Sequence, residues 1–235
     1  MPDMAKTYDE QARHFAKFAP SSFTFVQVER PAYERHVRMH CWPPTKALDI
    51  GSGAGRMASY LTSRGVKPEN ITGIEISPNL VEIARQEVPG ATFICGDARD
   101  GIPYPDNTFD LVTSHMVLEF LDDEGLKKVL SEVHRILKPH AFFCAITTHP
   151  NKMTKSDGVD KRGWFDTSAP WGKDDIIQNW YRTKEDFGIA VAESGLQLRV
   201  IEDLRTPPEA EKADPERYAH YSALDPIRLL LKAVK

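Results

Sequence analysis

The sequence predicts a doubly wound α/β fold, with helices covering both faces of a parallel sheet. Three observations point there. From residue 46 onward, short apolar runs alternate with stretches of helical spacing, the rhythm of strand-helix-strand units. The first run, in "ALDIGSGAGR" (47–56), passes straight into Gly51, Gly53 and Gly55. Without Cβ atoms, these residues let the turn between a buried strand and the next helix lie bare against a ligand. An acid, Glu75, closes the second run 20 residues after Gly55, where open sheets of this kind present a carboxylate to a ribose.

Each element carries its own signal. "KALDI" (46–50) reads as the first strand, and Met57, Tyr60 and Leu61 share one face of the helix that Gly65 stops. "ITGIEI" (71–76) is the second strand. Ser77 and Pro78 supply an N-cap and a first-turn proline for a helix with Leu80, Ile83, Ala84 and Val88 facing inward, ended by Pro89 and Gly90. "ATFIC" (91–95) and "FDLVTS" (109–114) are strands three and four. Leu126, Val129, Leu130, Val133, Ile136 and Leu137 then recur at three- and four-residue steps; Asp122 and Asp123 favour the helix start, and Pro139 forbids its continuation. "AFFCAITTH" (141–149) is strand five, and Thr183 with Asp186 forms a capping box for the helix that ends at Gly195. The runs 196–201 and 227–234 close the chain. Outside this rhythm stand residues 1–44, with helical spacing at Tyr8, Ala12 and Phe15, and the aromatic-rich, loop-like stretch 150–182.

Bulk properties narrow the function classes. The 235 residues suffice for one domain with a partial cap. Lys and Arg number 30 against 34 Asp and Glu, for a net charge of −4, so no basic field is available for nucleic acid. Of three cysteines, Cys95 and Cys144 fall in apolar, strand-like runs where a thiol acts as a small hydrophobe; with Cys41 the count is odd, and a reduced, cytoplasmic chain is expected. Neither a signal peptide nor an apolar run of membrane-spanning length is legible, so no membrane association is expected.

Glu75 favours an adenosine-type ligand and disfavours one with a 2'-phosphate, because a carboxylate can accept from two free ribose hydroxyls. The glycine spacing is G-x-G-x-G, preceded by Asp49, whereas dinucleotide loops use G-x-G-x-x-G. An acid before the loop repels a pyrophosphate and helps to hold an ammonium group, which points to an amino-acid nucleoside. The successive stretches "LDIGSGAGR", "ITGIEIS" and "GDARDGIPYPDNTFDLVTSHMVLEF" resemble the motifs of the class I S-adenosylmethionine-dependent methyltransferases across residues 45–150. The resemblance implies a Rossmann-like, seven-stranded, mostly parallel sheet whose last strand is antiparallel, with a helical and aromatic cap. It also implies S-adenosylmethionine as cofactor. Asp49, Gly51, Ser52, Gly53 and Gly55 would then form the loop under the methionine part, Glu75 would bind the ribose, and Ile76 would lie against the adenine. Asp97 and the Ala98 N–H would receive the adenine edge, and Ser114 and His115 would approach the sulfonium and the acceptor. Where the family commonly has Lys-Pro-Gly-Gly before strand five, this chain has "KPHA" (138–141), so that turn must form without glycine.

Methyl transfer from a sulfonium is an in-line displacement that needs alignment and the exclusion of water. A general base matters only for an acceptor that keeps its proton until attack; His115 and then His149, at strand ends facing the site, are the candidates. His36, His40 and Cys41 lack a fourth metal-ligating partner, and no metal is expected. Trp164, Trp171 and Trp180 share no helical or alternating spacing and, with Tyr181, Tyr8 and Phe15, read as the wall of an acceptor pocket. The tail from residue 182 resembles that of the ubiquinone-biosynthesis-like group of small-molecule methyltransferases. The expected organisation is an N-terminal helical lid (1–44), a cofactor-binding core (45–149), a cap over the acceptor site (150–182) and a C-terminal completion of the sheet (183–235). The expected function is methyl transfer to an O, N or C atom of a small, aromatic or apolar metabolite. A catalytically inactive cofactor-binding subunit with a regulatory or partner role is the alternative left open.

Overall fold

The structure, a computed structural model, describes residues 4–41, 45–169 and 172–235. Its sheet is built from β1 (Ala47–Ile50), β2 (Ile71–Glu75), β3 (Thr92–Cys95), β4 (Phe109–His115) and β5 (Leu137–Thr148). β6 (Gly163–Ala169) and β7 (Gly172–Tyr181) form a separate hairpin, and β8 (Gln197–Leu204) and β9 (Arg228–Val234) complete the main sheet. The spatial order is β3-β2-β1-β4-β5-β9-β8. The first five strands pair in parallel, and β9 runs antiparallel to both β5 and β8. The seven-stranded, mostly parallel Rossmann-like sheet is therefore present, with its antiparallel last strand lying inside the sheet. Strand order reverses between β1 and β4, which opens a crevice beyond their carboxyl ends.

Preceding the sheet, α1 (Met4–Glu10), α2 (Ala12–Phe18) and α3 (Arg30–His36) form a helical segment with a wide π-helical turn at Phe25–Glu29. The helices on the sheet follow local signals. α4 (Arg56–Ser63) buries Met57, Ala58, Tyr60 and Leu61. α5 (Pro78–Glu87) begins where Leu80 N donates to Ser77 Oγ at 3.1 Å. It buries Leu80, Val81 and Ala84, so Val81 takes an inward place expected of Ile83. α6 (Asp123–Ile136) is capped by Asp122, whose Oδ1 accepts from Gly125 N at 2.8 Å. Past Pro139 the turn that lacks glycine is made by His140, which takes the left-handed conformation itself at φ +65°. α7 (Pro150–Asp157) follows β5, and α8 (Lys184–Glu193) opens with the expected capping box between Thr183 and Asp186. α9 (Pro215–Leu224), not anticipated from the sequence, precedes β9.

Alternation along the strands splits the core into two layers. Val112, Phe143, Leu229 and Leu231 meet Val129, Val133, Phe187 and Val191 on one face. Leu111, Cys144, Ile146 and Leu230 meet Tyr33, Met57, Leu61 and Ala84 on the other. Cys144 thus behaves as a core hydrophobe, whereas Cys95, expected to do the same, is exposed because β3 is the edge strand. The stretch 150–182 is likewise not a loop. It contains α7 and the β6–β7 hairpin, in which Trp164 and Trp180 are register partners with their rings edge to face at 5.2 Å. Among the described residues, no helix is long and apolar enough to cross a membrane.

Candidate active site

The glycine loop is held by the head of β2. Gly51 N and Ser52 N both donate to the Ile74 carbonyl, at 2.8 and 3.1 Å, and Gly53 N donates to Glu75 Oε2 at 2.9 Å. Ser77 N donates to Glu75 Oε1 at 3.0 Å. Gly51 has φ +68°, and a Cβ there would overlap Val117 Cγ2, so the turn requires glycine both for its conformation and for space. Burial raises the pKa of Glu75, opposed by the N–H groups of Ser77, Gly53 and Ile76. A carboxylate fixed in this way keeps acceptor capacity for a ligand's hydroxyls.

Other residues expected at the cofactor occupy varied surroundings. Ile76, 37% exposed, lines the same cavity as Glu75, Asp97 and Ala98. Asp97 accepts from Arg99 N at 2.8 Å and from Arg99 Nε at 2.9 and 3.0 Å. Burial works against its charge, but Arg99 outweighs it and holds the carboxyl below its usual range. Asp49 accepts from Thr113 Oγ1 at 2.8 Å, and burial pushes its pKa up to about 7. Asp49, Ser52 and Arg56 line an adjoining space of about 580 Å³ beside the glycine loop. Ser52 Oγ is buried there with no partner among the described residues. Ser114 lies in the sheet, fully buried, and lines neither space; its side chain departs from the expected cofactor contact because β4 turns it inward.

His115 sits at the end of β4 inside a buried chain of charges. Arg56 Nη2 lies 2.5 Å from its Nδ1, and its Nε2 lies 2.9 Å from Glu29 Oε2. Arg228 Nε donates to the other Glu29 oxygen at 2.6 Å, and Arg228 Nη2 donates to Thr24 Oγ1 at 3.2 Å. Burial, and then Arg56, lower the His115 pKa to about 4, so the ring is neutral and its Nε2–H donates to Glu29. Burial opposes the charge on Glu29, but Arg228 overrides it and holds that carboxyl well below the usual range. With both nitrogens engaged, His115 is placed to orient neighbours and has no free lone pair for a proton. His149 is a correction of a different kind. Its Nδ1 accepts from Asn151 N at 2.9 Å as the N-cap of α7, its Nε2 faces Asp203 at 3.3 Å, and it is off the cavity wall. His36 and His40, set aside above as metal ligands, pair with Glu202 at 2.6 Å and Lys232 at 3.0 Å.

The cavity, about 810 Å³, runs from Glu75 and Ile76 to the cap. Tyr8, Phe15 and Trp164 line it. Tyr8 meets Phe15 and Phe120 edge to face, at 5.4 and 5.7 Å. Asp9 docks α1 on the start of α5, its Oδ1 accepting from Ser77 Oγ at 2.7 Å and Asn79 N at 2.8 Å. Trp180 and Tyr181 do not line the cavity: Trp180 Nε1 donates to Asp123 at 3.2 Å, and Thr154 Oγ1 lies 3.5 Å from the Tyr181 hydroxyl. Pairing into a hairpin gives these rings partners of their own. Trp171 lies outside the described residues.

Besides Glu29, Arg56 and Arg228, polar residues on this wall that sequence reasoning missed include Glu119, Lys152 and Asn179. Glu119 is 1% exposed and accepts from Thr147 and Thr148 hydroxyls at 2.8 and 3.0 Å; burial raises its pKa. Lys152 projects from α7 and Asn179 from β7. An acid inside the apolar run "VLEFL" was the available signal for Glu119; period two through Ile177, Asn179 and Tyr181 was the signal for Asn179.

Comparison with known proteins agrees with this geometry. Residues 48–145 match the family described as a methyltransferase domain. An uncharacterised methyltransferase of Synechocystis is 34% identical over 131 residues, covering 55% of this chain and 60% of the relative. A fatty-acid O-methyltransferase of Mycolicibacterium smegmatis is 32% identical over 111 residues, covering 45% and 38%. The chain thus spans less than two thirds of either curated relative. Among solved structures, an S-adenosylmethionine-dependent methyltransferase from Mesorhizobium loti superposes with a TM-score of 0.67 at 23% identity, covering 88% of this chain and 97% of that one. Residues 48–145 are thus similar to a methyltransferase domain, and the chain shares the fold of the Mesorhizobium loti protein.

Proposed function

We propose that this protein transfers a methyl group from S-adenosylmethionine to an O, N or C atom of a small apolar or aromatic acceptor. One observation carries the reading: a single cavity joins the glycine loop, Glu75 and Asp97 to a roof of aromatic and aliphatic side chains, including Phe23, Tyr221 and Trp164. The chain's residues fit the cofactor. Glu75 has acceptor capacity for the ribose, Ile76 offers an apolar face to the adenine, and the unpartnered Ser52 hydroxyl and Asp49 flank the loop that would hold the amino-acid part. An ammonium group beside Asp49 would favour its ionised form. Asp97 can reach an adenine amino group when Arg99, 44% exposed at its side chain, swings toward solvent.

The bound cofactor supplies an activated methyl group with its own leaving group. Residues 1–44 and 150–182 act as the lid and cap that align the acceptor and exclude water. Arg56, His115 and Glu29, bonded to one another, would stiffen one wall of the cavity. For an acceptor that keeps its proton until attack, Glu119 is the base this wall offers, because burial raises its basicity and it lines the cavity. Incubation with methyl-labelled S-adenosylmethionine and a metabolite extract should yield one labelled small molecule, identifiable by mass. Titration calorimetry should show binding of S-adenosylmethionine and its demethylated product but not of NAD. Equal affinity for NAD, or label found only on protein, would overturn the reading.

A further inference from the structure

Two polar side chains on the cap half of the cavity have no hydrogen-bond or ion-pair partner among the described residues. Asn179, on β7, is 7% exposed, and its Oδ1 is fully buried without a partner. The alternation of the hairpin turns it to the same side as Ile177 and Tyr181, which are 4% and 9% exposed. Lys152, on α7, is half-buried, and burial lowers its pKa. The charged groups that face it are Arg228, Asp157 and Glu119. None is within ion-pair distance of it, and each is already engaged. Asp157 accepts from the Thr167 hydroxyl at 2.7 Å, Glu119 from Thr147 and Thr148, and Arg228 holds Glu29. α7 is packed on the hairpin through the Thr154–Tyr181 and Asp157–Thr167 contacts, so Lys152 and Asn179 face the cavity from adjoining elements.

An unpaired amide this deeply buried, lining the same cavity as a partly desolvated ammonium, is costly unless a ligand completes its bonding. The acidic groups nearby are satisfied by the protein, while the groups left open are a cation and an amide that can turn either its oxygen or its NH₂ outward. That pair suits an anionic oxygen acid better than a cation. Phe23, Met153, Ile177, Tyr221 and Leu224 give the same cavity apolar wall area. We propose that the acceptor taken by this site is an apolar carboxylic acid in its ionised form, its carboxylate seated on Lys152 and Asn179. The inference rests on the methyl-transfer reading of the same cavity and deepens it by naming the acceptor class.

The test uses the full chain saturated with S-adenosylhomocysteine and four probes: decanoate, 4-butylbenzoate, 1-decanol and decylamine. Calorimetry should give at least one of the two carboxylates a tenfold or greater preference over both the alcohol and the amine. Lys152→Met should remove most of that preference and leave the 1-decanol affinity unchanged; Asn179→Leu should weaken carboxylate binding several-fold. S-adenosylhomocysteine affinity and circular dichroism of each variant report whether the fold and cofactor site are intact. Equal binding of alcohol and carboxylates, preference for decylamine, or a wild-type preference retained in both variants would overturn the inference. If S-adenosylhomocysteine itself fails to bind the wild type, the methyl-transfer reading falls instead, and the carboxylate preference, measured then without it, still decides this inference.

Discussion

Glu75 does two jobs with one carboxylate: it ties the glycine loop to β2 through Gly53 N and keeps acceptor capacity toward the cavity. Glu75→Ala should therefore weaken binding of S-adenosylmethionine by about 1.5–3 kcal/mol, the range for a hydrogen bond to a charged group. Asp97→Ala should cost less, because Arg99 already occupies that carboxylate. Calorimetry on both variants gives the comparison, and an unchanged affinity for Glu75→Ala in a folded protein would displace Glu75 from the ribose site. His115 carries a pH signature. Its pKa falls from 6.5 to about 4 on folding, so between these values the unfolded chain binds a proton that the folded protein does not. Stability from this group is full above pH 6.5 and declines as the pH drops toward 4. Denaturant midpoints at pH 7 and pH 5 should separate more for the wild type than for His115→Gln, and the ring's NMR titration should stay flat down to about pH 5.

At the scale of elements, two paired tryptophans on one face of the β6–β7 hairpin make different contacts. Trp164 lines the cavity, whereas Trp180 anchors the hairpin to Asp123. Trp164→Ala is expected to raise the acceptor KM or lower kcat/KM while the cofactor Kd stays within about twofold, the pattern of lost acceptor binding. Trp180→Ala should instead loosen the hairpin, seen as faster proteolysis between residues 151 and 163. Cleavage there should also slow when cofactor and acceptor are both bound. If cutting is equally fast in every state and Trp164→Ala leaves acceptor kinetics alone, the cap is packing and not a roof. The hairpin pairing was hidden from the sequence because the two tryptophans align only across strands. By contrast, the Ser77, Asp122 and Thr183 caps were legible because each closes within three residues.

Across the whole molecule, one buried charge chain joins segments far apart in sequence. Glu29 lies 199 residues from Arg228 and 86 from His115, yet meets both. This chain ties the N-terminal helical segment to β9 and β4. Removing one member leaves a buried charge uncompensated, which costs about 3–5 kcal/mol. Arg228→Met should lower the unfolding free energy by that amount in urea, and Glu29→Gln added to it should recover part of the loss. A full loss with no recovery would mean that Arg228 acts through packing alone.

The sequence by itself determined the order of elements, the caps, the glycine loop with its acid at the head of β2, and the resemblance to methyltransferases. All of these depend on residues a few positions apart or on strand and helix periods. Tertiary structure decided who faces the cavity. It drew His149 into a helix cap and Trp180 and Tyr181 into the hairpin's own contacts, closed both nitrogens of His115, and brought Glu119, Lys152 and Asn179 to the wall. Residue type names the chemistry a side chain can perform. Which side chains meet is set by how α7, the hairpin and the N-terminal helices pack over a sheet whose strands lie far from them in sequence, and no local pattern encodes that packing.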